Sequence, residues 1–202
     1  MAVSPVSLCN LALVRLGGTT IAALNEGSKE SILCDLLFES SRDATLRDHP
    51  WNFATLRRTL ASTGNPVEPW AHAYAYPVNC LFAREIVNPR GRQAPPVPFE
   101  VAGDGSGGRV IYTDLAPAVL LYTARVTDLA ACDPLFLEAF SWKLAAELAM
   151  PLANNKALMD MAQGQYARLL TVARACDGNE GRTEPPEMAS WLLTRTGNER
   201  AC

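Results

Sequence analysis

The run Gly103-Asp104-Gly105-Ser106-Gly107-Gly108 spells the G-x-G-x-x-G of dinucleotide sites. That device works only with a strand before it and a helix N-terminus after it, because the free amides of the helix end hold the phosphates. Here Arg109-Val110-Ile111-Tyr112 follows, an extended, β-prone run, so the glycines read as the turn of a hairpin between 99–101 and 110–112. A small nucleotide-binding enzyme using this loop is the alternative that the bare pattern leaves open. A nucleophilic Ser106 would need a base within hydrogen-bond reach. The chain has two histidines in all, and neither stands in a recognisable arrangement with it.

Those histidines cannot build a metal centre alone. His49 precedes a proline at the end of a helical pattern, where a donor helps satisfy the last free carbonyls. His72 lies in a strand bounded by proline and tyrosine, and no Cys/His/Asp/Glu set with ligand spacing surrounds it or Cys80. No metal and no cofactor are expected. The carboxylate pairs Asp35/Glu39, Glu39/Asp43 and Glu184/Glu187 fall on polar, solvated positions. The basic groups Arg57-Arg58 and Arg90/Arg92 have Glu85, Glu100 and Asp104 close in sequence, which favours ion pairing over a grip on nucleic acid.

One cluster is out of keeping with its surroundings. Residues 177–202 turn to Gly, Glu, Pro and Thr, the composition of a tail, yet Trp191-Leu192-Leu193-Thr194-Arg195 sits within them. Trp and Arg are enriched among interface anchors. Trp191, Leu192, Leu193 and Arg195 are therefore the candidate partner-binding residues, with folding back onto the chain's own helices as the alternative.

The elements that must carry these residues can be read from caps and periodicity. Ser4 is an N-cap and Pro5 suits the first helical position; Val6, Leu8, Leu11, Ala12 and Leu16 follow, and Gly17-Gly18 stops the helix. A second helix begins near Ser28 or Ser31 and runs to about Asp48, with Leu33, Leu36, Leu37, Ser40 and Ala44 inward and Glu30, Asp35, Glu39, Arg42 and Asp43 mostly outward. His49-Pro50 ends it. Prolines then punctuate 66–98 and forbid long helices. Residues 53–62 read as a strand, and in 119–126 Leu120, Tyr122, Ala124 and Val126 face one way with Leu121, Thr123 and Arg125 on the other. Asp133-Pro134 opens a third helix, apolar around much of its girth through Leu137, Phe140, Leu144 and Leu148 and so central. After Asn154-Asn155 a fourth runs to about Cys176, with Leu158, Ala162, Tyr166, Leu169 and Ala173 inward. The fold class is α+β: an antiparallel bundle of about four helices (1–50 and 131–176), a β-rich insert (51–130) and an extended tail (177–202).

At 202 residues the chain can bury roughly 70% of the surface its unfolded state exposes, enough for a core without staples. Its six cysteines, Cys9, Cys34, Cys80, Cys132, Cys176 and Cys202, form no C-x-x-C pair, which points to free thiols and a reducing compartment. The start lacks a basic stretch followed by an apolar run, and nothing reaches membrane-spanning length; synthesis in a cytoplasm is expected. A net charge of -3 argues against affinity built on grasping phosphates, though not against a protein that lets DNA pass. Only Lys29, Lys143 and Lys156 of the 18 basic residues are lysines. Arginine suits crowded interfaces, and genome base composition gives the same bias.

Taken in order, five segments resemble the head–tail adaptors of tailed bacteriophages, a family that includes tail tubular protein A of short-tailed phages and gene-transfer-agent connectors. Ser7-Leu8-Cys9-Asn10-Leu11-Ala12-Leu13-Val14-Arg15-Leu16-Gly17-Gly18 resembles the family's opening helix, and His49-Pro50-Trp51-Asn52-Phe53-Ala54 its P-W-x-F junction. Trp70–Leu81 is similar to its aromatic Y-x-Y-x-x-P-x-D-C-L run, with Val78 directly after the proline and Asn79 where an acid is common. Asp133–Ala173 resembles its two long C-terminal helices, and Trp191-Leu192-Leu193-Thr194-Arg195 the terminal L-L-T-R. Residues 84–109 match no part of it. The resemblance implies a structural virion protein, not an enzyme: a dodecameric ring under the portal protein, touching a downstream tail or nozzle protein, through which double-stranded DNA passes without specific binding. It also implies that the tail residues named above dock on the portal. A stand-alone helical interaction module is the third reading.

Overall fold

Every helix starts on a side chain that caps it. The computed structural model describes residues 3–91 and 93–180. Ser4 opens α1 (Pro5–Arg15) by accepting from the Ser7 amide at 3.1 Å, while Ser7 Oγ accepts from the Ser4 amide at 2.8 Å. Two orphan donors are satisfied reciprocally. Gly17, at φ +71°, turns the chain out of α1, and the Gly18 amide closes the end on the Leu13 carbonyl at 2.9 Å. Ser28 caps α2 (Lys29–Arg47), Asp133 caps α3 (Pro134–Ala153) and Asn155 caps α4 (Lys156–Asn179). Asn154, left-handed at φ 46°, makes the turn between the last two.

Between α2 and α3 lie six strands in two antiparallel sheets. The first sheet has the order β1 (Thr55–Thr59), β6 (Val119–Ala124), β3 (Cys80–Ile86); the second has β2 (His72–Ala75), β5 (Arg109–Thr113), β4 (Phe99–Gly103). Single bridges join them on both sides, Ser62 to Tyr74 and Ile86 to Val97. The sheets wrap around Leu60, Tyr74, Ile86, Ile111, Leu120 and Tyr122. All pairs are antiparallel, and of them only β4 and β5 are joined directly by a short turn.

The helices have their own core. α1, α2 and α4 each pack on α3, whose Phe136, Phe140, Leu144 and Leu148 are fully buried. Rings interlock there: Phe38 meets Phe140 edge-on at 5.2 Å, and Trp51 and Phe53 meet Phe136 at 5.2 and 5.1 Å. The expectation of a central third helix agrees with this packing.

The inner stripe of α2 follows its leucines only in part: Leu33 and Leu37 pack on the core as expected, and the rest of the stripe does not. Leu36 and Ile32 are 69% and 57% exposed, and Ser40 and Ala44 also face outward. Ser31, Cys34, Phe38, Ser41, Arg42, Thr45 and Leu46 are buried instead. Small hydroxyls can occupy a packed face because they return their hydrogen bonds to the preceding turn: Ser31 Oγ donates to the Ser28 carbonyl at 3.0 Å and Thr45 Oγ1 to the Ser41 carbonyl at 2.8 Å. Arg42, expected outward, is buried and paired with Asp43 at 2.9 Å. In α1, Leu11 is exposed, and Cys9 and Leu13 take the inner face with Leu8 and Ala12.

Two strand readings also shift. The strand expected over 53–62 is regular only at Thr55–Thr59, and residues 51–54 form turns. The strand expected over 119–126 ends at Ala124, and Thr123, assigned to its open side, is buried. The fourth helix outlasts its expected end at Cys176 and reaches Asn179, so the tail boundary at 177 falls inside its last turn. Among the described residues no helix is long and apolar enough to cross a membrane.

Candidate functional site

The most developed polar constellation lies where the end of α4, the end of α2 and the start of the β region meet. Pro50 cannot continue α2, and the next residues fold into turns that aim Trp51 into the helical core. Trp51 is fully buried, and its indole N–H donates to the Thr45 carbonyl at 3.1 Å. The Asn52 amide donates to Asp177 Oδ1 at 2.9 Å, and Asn52 Nδ2 donates to the Asp177 backbone carbonyl at 2.6 Å. His49 Nε2 stands 3.1 Å from Asp177 Oδ2, its ring edge-on to Trp51 at 4.8 Å. His49 therefore faces a carboxylate on another helix, not the carbonyls of its own helix end.

Arg84 of β3 reaches the same region. Its Nε donates to Thr123 Oγ1 at 3.1 Å and its Nη2 to Thr55 Oγ1 at 2.7 Å. Burial lowers its pKa, against the pull of the Asp177 and Glu85 charges, which favours the cation. These bonds explain the burial of Thr123: the end of the first sheet is covered by helices and carries polar groups that satisfy one another. One turn away, Tyr166 Oη donates to Asp48 Oδ2 and Arg174 donates to the Asp48 carbonyl. Burial and the neighbouring carboxylate both push the Tyr166 hydroxyl pKa up.

Chemically this constellation is a fastener. Its carboxylate is spent on an amide and an imidazole, and its guanidinium on two hydroxyls. Sequence reasoning missed Asp177, Asn52 and Arg84 as partners. Asp177 stands in a Cys-Asp-Gly-Asn run that looks like tail, and nothing local distinguishes it from a solvated acid.

The Gly103–Gly108 loop joins β4 to β5 as the tip of a hairpin, as its strand-like flanks predict. Asp104 organises it by accepting from the Ser106 and Gly108 amides at 2.8 Å each. These bonds hold the Asp104 carboxyl below the ordinary carboxylate range. Two of the loop's amides are thus already bonded to this side chain, and a strand comes next where the nucleotide device requires a helix.

The remaining candidates do not converge. Asp35 and Glu39 are exposed on α2; Asp43 pairs with Arg42 and with Arg125 at 2.7 Å. Glu184 and Glu187 lie outside the described residues, as do Arg92, Cys202 and the tail candidates Trp191, Leu192, Leu193 and Arg195. His72 begins β2 and Cys80 begins β3, in different sheets. Among the described residues no three His, Cys, Asp or Glu side chains could hold a metal ion. Cys9, Cys34, Cys80, Cys132 and Cys176 are free thiols. Across the outer face of the first sheet, Arg57, Leu121 and Glu85 stand side by side in register and line an open groove of about 890 Å³ with Val87, Asn88, Ala94, Pro95 and Pro96.

No protein-family model matches the chain, and no curated protein matches it.

Proposed function

We propose that this chain is a structural head–tail adaptor of a tailed bacteriophage and not an enzyme. In this reading the helices form an antiparallel bundle carrying the six strands as an insert, with an extended tail at the C-terminal end. Twelve copies close into a ring under the portal protein, join the DNA-filled head to a downstream tail or nozzle protein, and leave a conduit for genome ejection. The protein is assembled in the host cytoplasm and resides at the head–tail junction of the virion. Trp191, Leu192, Leu193 and Arg195 dock on the portal.

The observation that carries the reading is the ordered likeness of five segments, spread from Ser7 to Arg195, to the segments of that family. The places these segments occupy support it. Leu16-Gly17-Gly18 closes α1, Pro50-Trp51-Asn52-Phe53 makes the junction between helices and strands, Trp70–Leu81 runs through β2 into β3, and Asp133–Ala173 covers α3 and most of α4. A net charge of -3 fits a conduit, because an acidic protein holds DNA phosphates weakly and lets the duplex slide. Head-to-tail interfaces between identical copies close into rings when the rotation permits.

Mixing the purified protein with its cognate portal should produce ring-on-ring particles in electron micrographs and co-sedimentation of the two chains. Failure to co-sediment at micromolar concentration and low salt would remove the reading.

A further inference from the structure

α2 and α4 both pack on α3 but form no helix pair with each other; α4 meets the end of α2 through Tyr166 and Arg174 on Asp48. Each helix therefore turns a separate outer face to solvent, and each face carries exposed apolar side chains among its polar ones. On α4 the exposed row is Ala157, Met161, Gly164, Arg168, Val172 and Ala175, spaced at helical repeats, with Met161 43% and Val172 46% exposed. On α2 it is Ile32 and Leu36, one turn apart, 57% and 69% exposed. Ile32 and Leu36 border an open hollow of about 410 Å³ with Leu24, Asn25, Gly27 and Asp35.

The charges on the two faces are opposite. Arg168 is the one cation in the middle of the α4 row and makes no ion pair among the described residues. Asp35 on α2 makes none either, and Glu39, one turn on, reaches Arg42 only at 3.8 Å. Small residues on the α4 face allow close helix approach, and Ile32-Leu36-Ser40 forms a ridge of i, i+4 spacing that can enter a groove on another helix.

We infer that these are the two halves of one interface: the outer face of α4 of one copy packs on the outer face of α2 of a second copy of this chain, with Met161 and Val172 against Ile32, Leu36 and the hollow, and Arg168 against Asp35 and Glu39. The two halves are different patches of the same chain, so the contact is head-to-tail and each copy keeps one half free for the next. The inference names the self-contact of the ring proposed above and rests on that reading for its setting.

The test uses the full chain without any portal. Sedimentation velocity of the wild type, from micromolar to about 1 mM at low salt, should show species larger than the monomer. Asp35→Arg alone and Arg168→Asp alone should each weaken association at least about tenfold, since each brings like charges together. Mixed one to one, the two variants should associate again, because every α2 face then meets an α4 face of opposite sign. Leu36→Glu should dissociate the assembly without rescue, and circular dichroism should show all variants folded, the sites being exposed. A wild type monomeric throughout, reversals without effect, or variants that stay apart when mixed would each overturn the inference. A ring on the portal that ignores these reversals would sink this contact and leave the adaptor reading standing. Rescue in the mixture with no affinity for a portal would do the opposite.

Discussion

Asn52 donates to Asp177 twice: its backbone amide to the Asp177 carboxylate at 2.9 Å, and its side-chain amide to the Asp177 backbone carbonyl at 2.6 Å. One bond fixes the last turn of α4 to the chain leaving α2, and the other fixes that chain to the helix. Asp177→Ala leaves the Asn52 amide without its acceptor and His49 without its carboxylate. Hydrogen bonds to charged groups contribute roughly 1.5–3 kcal/mol, and an orphaned buried donor adds cost. The expected loss is about 2–3 kcal/mol in urea unfolding, with the slope against denaturant unchanged. A loss below about 0.5 kcal/mol would mean that the fastener contributes little.

Truncation separates the stability held by the last helix from the docking assigned to Trp191, Leu192, Leu193 and Arg195. A chain ending at Glu180 keeps Asp177 and should unfold within about 0.5 kcal/mol of the full protein, while losing its affinity for the portal. A chain ending at Cys176 lacks Asp177 and should be less stable by an amount similar to Asp177→Ala. Equal stability of the two truncations would contradict the role given to Asp177. Undiminished docking by the 180-residue chain would remove the tail from the portal contact.

Alkaline pH should destabilise the fold through groups that it holds neutral. Burial, with the nearby Asp128 charge, pushes the Cys132 thiol up to about 11 from an ordinary value of 9.0, and burial pushes the Tyr76 hydroxyl up to about 12 from 10.0. A raised pKa means that the folded chain retains a proton which the unfolded chain has released. Their stabilisation is thus complete below the unfolded values and is lost as pH climbs through the folded ones. For Cys132 the window is pH 9 to 11, with a limiting slope of about 1.4 kcal/mol per pH unit. Melting temperature should fall across that window, and Cys132→Ala should flatten the fall near pH 9–11. An unaltered slope in the variant would rule out the thiol as its source.

Caps, breakers and turns were legible in the sequence because each acts over three or four residues. Ser4, Ser28, Asp133 and Asn155 start helices, Gly17 and Pro50 stop them, and the Gly103–Gly108 run turns a hairpin. Local hydrogen bonds decide such features whatever the rest of the chain does. They lead to the α+β class and to the order of two helices, a stretch of strands and two more helices.

How the buried face of α2 is centred was decided only by the tertiary structure: Leu33 and Leu37 pack on the core, but Leu36 does not. Leu36 and Ser41 exchange the places that hydrophobicity assigns them because packing on α3 is set by Phe38 against Phe140, and a serine can satisfy its own hydroxyl on the preceding turn. Nor could spacing bring Asp177 to Asn52 and His49, more than a hundred residues apart in the chain. Long-range partners depend on where whole elements dock, and that is fixed by the summed shape of two cores, not by any short run of residues.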